Sequence, residues 1–255
     1  HLGHAYSALL IHDRARAEGG TVLLRIEDTD STRCRPEWEQ AIYDDLSWLG
    51  IVWDAPPRRQ SDHYADYWTA LDRLAPFLYP CSCTRRQIAE AGGQPGADGL
   101  VYPGTCRNRS LSDALPGDAV RLNITKSLQG LTTHSYTEEG GPLRHPNPEF
   151  LHQQIGDPVL RRKDSGDPAY HLAVVVDDAL QGITHVIRGA DLINATPLHV
   201  LLQSLLNLPT PVYHHHRLIL DDSGKRLAKI DASKAIATYR DEGASPADTR
   251  RMVGL

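Results

Sequence analysis

Two histidines stand three residues apart at the start of the chain, in His1-Leu2-Gly3-His4. Residues at that spacing share one side of a helix, so both rings can face the same ligand. A helix N-terminus presents unpaired N–H groups and a partial positive charge, which suit phosphate. Gly3 adds no side chain, so a flat base can approach the backbone closely. Far along the chain, Asp221-Asp222-Ser223-Gly224 reads as a turn into Lys225-Arg226-Leu227-Ala228-Lys229. A loop carrying three cations can close on a polyphosphate and stabilise the charge that develops as pyrophosphate leaves. Alone, the first motif is no more than a histidine pair at a helix start, and the second is no more than a basic surface loop.

Two other constellations offer chemistry. In Arg25-Ile26-Glu27-Asp28-Thr29-Asp30, Glu27 can accept hydrogen bonds from a substrate ammonium, while Asp28 and Asp30 serve equally well as caps of the next segment. Cys81, Cys83 and Cys106 lie close together, and thiolates at such spacing hold Zn²⁺ tetrahedrally, stabilising a loop that has little core. On chemistry alone the fourth ligand is water or a histidine. Cys34 has no evident partner. His214-His215-His216 is a weaker metal candidate, because adjacent residues of a strand point to opposite faces.

These groups need a scaffold. Residues 4–18 suit an amphipathic helix ended by Gly19-Gly20, residues 21–26 a buried strand, and residues 36–49 a helix with Pro36 in its first turn. That rhythm is α/β, and in open α/β sheets ligands sit at the C-terminal ends of strands, where Glu27 falls. A helix is expected over 62–79. From Cys81 to Pro116 the chain is rich in Gly, Pro and Arg, and 119–146 reads as strands and turns. Tyr170–Val176 reads as a second buried strand followed by Asp177-Asp178, and 196–207 as a leucine-rich helix. The order suggests an α/β domain split by an insertion of about 100 residues.

Composition limits the classes of function. With 255 residues, 40 % hydrophobic and 23 % charged, the chain has the make-up of a soluble globular protein. It contains no run of eighteen apolar residues, and Asp13, Arg14 and Arg16 interrupt its first apolar stretch, so neither a membrane span nor a signal peptide is expected. The expected compartment is the cytoplasm, where disulfides are disfavoured. A net charge of −5 excludes an all-over nucleic-acid coat but leaves room for local basic faces, such as Arg85-Arg86, Arg107 with Arg109, or Arg161-Arg162-Lys163.

Together, the HLGH start and the Arg226-Leu227-Ala228-Lys229-Ile230 loop resemble the paired signatures of class I aminoacyl-tRNA synthetases, HIGH and KMSKS. Only the fourth position of the second signature, Lys229, is unchanged, a degeneracy that matches the glutamyl group. RIEDTD at 25–30, Tyr170 to Asp178, and Val186-Ile187-Arg188-Gly189-Ala190-Asp191 continue the likeness, which runs from His1 to about Ala235. The resemblance implies a Rossmann-type catalytic domain with an inserted, zinc-bearing subdomain that contacts tRNA. The halves of the catalytic domain would be 1–75 and 166–213, the insertion 76–165, and the KMSKS-like loop with the start of a helical stem-contact region 214–255.

The site roles follow from the same likeness. His1, Gly3, His4, Lys225, Arg226 and Lys229 would bind MgATP, with His1, His4 and Lys229 acting in catalysis. Glu27 would hold the α-amino group of L-glutamate, and Arg188 and Tyr170 would line its pocket; Arg suits a carboxylate because it binds one with a bidentate fork. Cys81-x-Cys83, Tyr102 and Cys106 resemble the Cys-x-Cys…Tyr-x3-Cys zinc site of the short glutamyl-queuosine branch, in which Tyr supplies the fourth ligand. Ala228 in place of Ser, Gly156–Arg162, and a chain that ends soon after Lys229 point to the same branch. The acceptor would then be queuosine in the anticodon stem-loop of tRNA(Asp), and the protein a monomer. Two alternatives are a fragment of a glutamyl-tRNA synthetase that charges the 3′ end of tRNA(Glu), and an inactive tRNA-binding module of the same fold. The family also has a strand and a Pro-Ser-Pro-Thr-Gly-like loop before HLGH, whereas this sequence starts inside the motif.

Overall fold

The computed structural model describes residues 1–30, 32–129, 134–220 and 234–255. Lys225, Arg226 and Lys229 lie outside these residues.

Helix α1 (Leu2–Ala17) begins directly after His1 and buries Ala5, Tyr6 and Leu9. Beyond it Gly19, at φ 67°, takes a left-handed turn that a β-carbon would strain. Of the strand expected over 21–26, only β1 (Arg25–Ile26) pairs. Val22 is buried, but its N–H is bound by the Asp54 carboxylate instead of by a neighbouring strand. Helix α2 (Pro36–Trp48) starts with Pro36, whose missing N–H costs nothing in a first turn, and Glu37 and Glu39 complement the positive end of the helix. β2 (Arg58–Arg59) runs parallel to β1, with Arg25 opposite Arg58.

The single helix expected over 62–79 divides. Helix α3 (Tyr64–Leu74) ends in a short turn containing Pro76, after which the chain extends into β3 (Leu78–Cys81). A short helix α4 (Arg85–Glu90) follows, opened by a reciprocal capping box between Thr84 and Gln87. β3 pairs antiparallel with β4 (Ala119–Leu122), and β4 with β5 (Val159–Arg161), giving a three-stranded antiparallel sheet.

Tyr170–Val176, expected as a strand, is helical in α5 (Tyr170–Leu180). Every residue from Leu172 to Asp178 is buried. A short continuous apolar run fits a buried strand and a helix buried all round equally well, and here tertiary packing overrides the β preference of three valines. β6 (His185–Gly189), helix α6 (Thr196–Leu205) and β7 (Val212–His216) complete a βαβ unit in which β6 and β7 pair in parallel, with Arg188 opposite His215. Helices α7 (Ile236–Asp241) and α8 (Pro246–Val253) end the chain, and α8 is tied to α1 by Arg250, which donates to both Asp13 oxygens at 2.6 and 2.8 Å.

One core cluster joins Tyr67 and Leu74 of α3, Leu122 of β4, Leu160 of β5, Leu172 and Val175 of α5, and Leu198 and Leu201 of α6. The antiparallel sheet is therefore packed onto the same helices that position the candidate site. Among the described residues no helix is long and apolar enough to cross a membrane.

Candidate active site

Arg25 stands in β1 and Glu27 just beyond its end, and the N-terminal turn of α5 brings Tyr170 toward them. Arg25 donates to Asp178 at 2.8 Å, to Gln181 at 2.9 Å and to Glu27 at 3.3 Å. The Glu27 side chain is 40 % exposed, yet the surrounding protein desolvates it enough to raise its pKa against the attraction of Arg25. Its carboxylate is thus partly open to solvent while crowded by protein on its other sides. Desolvation likewise raises Asp178 against the pull of Arg25 and Arg188. The Tyr170 hydroxyl is pushed up to about 12 by desolvation and the charge of Glu27, with Arg188 opposing. Glu27, Tyr170, Asp178 and Arg188 thus sense one another electrostatically.

Asp177 has a different task. It is fully buried and accepts from Arg58 Nε at 2.8 Å, Gln60 Nε2 at 2.8 Å and the Tyr67 hydroxyl at 2.9 Å. A charge out of water needs such partners, and these three lock α5 to β2 and α3. Arg58, Gln60 and Tyr67 had no signal in the sequence, since they lie more than a hundred residues from Asp177.

Arg188 is buried in β6, and its partners are neutral. It donates from Nε to His215 Nε2 at 3.2 Å, from Nη1 to His199 Nδ1 at 3.0 Å, and from Nη2 to Thr196 Oγ1 at 2.8 Å and Leu192 O at 3.3 Å. Its guanidinium carbon lies 5.2 Å from the centre of the Tyr213 ring. Among the described residues no carboxylate forms an ion pair with it, and its five N–H groups meet four acceptors. Burial, together with the positive charge of Arg188, holds His199 well below its ordinary pKa, so it is a neutral acceptor at neutral pH. Neither His199 nor His215 stood out in the sequence as a support for Arg188.

At the start of α1 the rings of His1 and His4 stack, with centroids 3.7 Å apart and planes inclined by 21°. A β-carbon at Gly3 would come within 3.1 Å of the His1 ring, so the glycine makes room for that ring. The three consecutive histidines of β7 alternate as expected. His214 Nδ1 meets Glu139 at 2.8 Å, His215 Nδ1 meets Glu138 at 3.0 Å, and His216 Nε2 meets Ser7 Oγ at 3.1 Å.

Cys81 at the end of β3, Cys83 before α4 and Cys106 bring their sulfurs within 4.8 Å of one another, the one group of this kind among the described residues. Tetrahedral Zn–S bonds of about 2.3 Å require sulfurs about 3.8 Å apart, and Cys83 and Cys106 stand at 3.6 Å. The Tyr102 hydroxyl is 3.4 Å from Cys83 Sγ and accepts the Cys106 N–H at 2.8 Å. Three thiols with a phenol oxygen among them fit a closed four-ligand zinc site. Arg121 packs over the Tyr102 ring, 4.1 Å from its centre, and fixes its plane.

Residues 1–108 and 146–255 match the family described as tRNA synthetases class I (E and Q), catalytic domain. The chain belongs to this family of ligases, and its α/β fold is that of the class I catalytic domain. Among its relatives, a protein of Rhodobacter capsulatus named glutamyl-Q tRNA(Asp) synthetase is 51 % identical over all of this chain and 95 % of its own length. Another of the same name, from Nitratidesulfovibrio vulgaris, is 40 % identical over 97 % of this chain and 79 % of its own. A solved glutamate–tRNA ligase from Elizabethkingia meningosepticum, in complex with its amino acid, superposes with a TM-score of 0.76 at 28 % identity; all of this chain spans 58 % of that one.

Proposed function

We propose that this protein activates L-glutamate with ATP and transfers it to queuosine in the anticodon loop of tRNA(Asp). The observation that carries the glutamate reading is Arg188, a buried cation with neutral protein partners and an N–H to spare. A buried charge without a counter-ion is costly, and a ligand carboxylate supplies the missing charge. Glu27 receives the α-ammonium, and Tyr170, which feels the charges of both Glu27 and Arg188, lines the same pocket.

In the first step the glutamate α-carboxylate attacks the α-phosphorus of MgATP, the bond from that phosphorus to the α,β-bridging oxygen breaks, and pyrophosphate leaves. His1, Gly3, His4 and the start of α1 bind the phosphates, with Lys225, Arg226 and Lys229 on the departing pyrophosphate. No protein nucleophile takes part, so the work is positioning and charge stabilisation. In the second step a hydroxyl of the cyclopentene-diol attacks the acyl carbonyl and AMP leaves. Cys81, Cys83, Tyr102 and Cys106 hold a structural zinc that closes the loop between β3 and β4. Residues 76–165 form the insertion that grips the RNA, 1–75 and 166–213 the catalytic halves, and 214–255 the KMSKS-like loop with the start of the helical stem-contact region. The relatives' name and the fit of Arg188 to a carboxylate support this reading.

The deciding measurement is glutamylation of tRNA(Asp) with and without queuosine. Product with the modified RNA alone is the expected result. Charging of tRNA(Glu) at its 3′ end would replace queuosine as acceptor, and absence of glutamate-dependent ATP–pyrophosphate exchange would reduce the protein to an RNA-binding module.

A further inference from the structure

Arg188 is held by a relay whose last member lies in residues 109–145, the segment outside the family match. Arg188 Nε can only donate, so His215 Nε2, 3.2 Å away, carries a lone pair. Thr196 Oγ1, 3.1 Å from the same nitrogen, accepts from Arg188 Nη2 and is free to donate its own proton to that lone pair. The imidazole proton must then sit on Nδ1, which lies 3.0 Å from both carboxylate oxygens of Glu138. Glu138 also accepts the His215 backbone N–H at 3.0 Å. One carboxylate therefore fixes both the tautomer and the backbone of the residue that aims Arg188.

The segment is anchored for this task. Glu138 bridges Tyr213 as an added parallel strand position, the Glu139 N–H donates to Tyr213 O at 2.8 Å, and Tyr136 packs edge-on to the Tyr213 ring. The His215 side chain is 2 % exposed and that of Glu138 18 %, so water competes little for the contact. Placing the carboxylate behind an imidazole also keeps it from pairing with the guanidinium directly, which leaves the charge of Arg188 available to a ligand.

We infer that Glu138, acting through His215, is a positioning residue that orients Arg188 for the substrate's side-chain carboxylate and thereby sets the preference for glutamate over glutamine. This rests on the glutamate-activating function proposed above. Without Glu138, His215 is free to take the other tautomer, which sets an N–H against the Nε–H of Arg188.

The test is ATP–pyrophosphate exchange by the full chain, with glutamate and glutamine as alternative substrates. For Glu138→Leu, the KM for glutamate should rise roughly tenfold, the scale of one hydrogen bond to a charged group. The KM for ATP and the maximal rate should stay within about twofold of wild type, a change below 0.5 kcal/mol, and the glutamate-to-glutamine selectivity should fall. Glu138→Gln keeps an oxygen that can accept from Nδ1 and should restore most of the glutamate KM. Glu139→Leu, which breaks the contacts of the same segment to His214 and Arg14, should leave the glutamate KM unchanged. An unchanged glutamate KM in Glu138→Leu overturns the inference, as does a parallel loss of ATP affinity and rate in that variant and Glu139→Leu, which marks a merely structural segment. If the wild-type chain shows no glutamate-dependent exchange, the functional reading itself fails, and the inference with it.

Discussion

A guanidinium taken out of water needs a counter-ion and a full set of acceptors, and within the described residues Arg188 has no ion-pair partner and four acceptors for five N–H groups. Lysine cannot take its place: it has three donors on one point and no planar fork. Arg188→Lys should raise the KM for glutamate by at least about tenfold, the equivalent of 1.4 kcal/mol, with the KM for ATP little changed; exchange kinetics will read both. The same cluster makes stability depend on pH. His199 has its pKa depressed in the folded chain, so the unfolded chain binds the extra proton. Its contribution is present above the unfolded value of 6.5 and is lost as pH falls below it, at a limiting rate of about 1.4 kcal/mol per pH unit. Urea denaturation at pH 7.5 and 5.5 should show this loss in wild type and a shallower one in His199→Gln, whose amide can still accept from Arg188 and donate to His171. Equal slopes in the two proteins would mean that His199 takes up its proton as readily in the folded chain as in the unfolded one.

At the level of elements, the knuckle between β3 and β4 has the least core to rely on: its buried cluster is Tyr79, Cys81, Ile88, Tyr102, Cys106 and Ala119. A bound zinc would supply what packing lacks there. Native mass spectrometry should find one zinc per chain, and chelation should lower the thermal midpoint, as should Cys83→Ser; a chain that is metal-free and indifferent to chelator removes zinc from this account. The knuckle was legible because its ligands are close in sequence and chemically distinctive. The α1 start, α2, α6 and the β7 histidines were legible for similar local reasons, through spacing, caps and alternation. What escaped was set by packing. Tyr170–Val176 carries no polar residue at a helical or a strand period that would tell the two apart, because α5 is surrounded by core on every side. The supports of Asp177 and Arg188 escaped for a second reason. Arg58, Tyr67, His215 and Glu138 meet them only through long-range contacts, and a single sequence carries no record of those.

Across the whole molecule, charge decides how RNA can be held. The chain has 27 basic and 32 acidic residues, and many of its arginines are already committed within the protein. Arg14 pairs with Glu139, Arg16 with Asp54, Arg59 with Glu39, Arg107 with Asp157, Arg109 with Asp118 and Arg162 with Asp30. An RNA phosphate must displace one of these carboxylates or use the cations that remain. Docking through a broad basic coat is therefore excluded, and a footprint of few phosphates is expected, with base and nucleoside contacts supplying the rest. Each neutralised phosphate contributes about −0.7 to −0.9 to the slope of log affinity against log salt. For a footprint of roughly four phosphates, fluorescence anisotropy of a labelled tRNA(Asp) anticodon stem-loop between about 50 and 200 mM salt should give a slope near −3. A slope near −10, that of an extensive phosphate clamp, would contradict the small footprint. A flat response would rule out phosphate-led docking altogether.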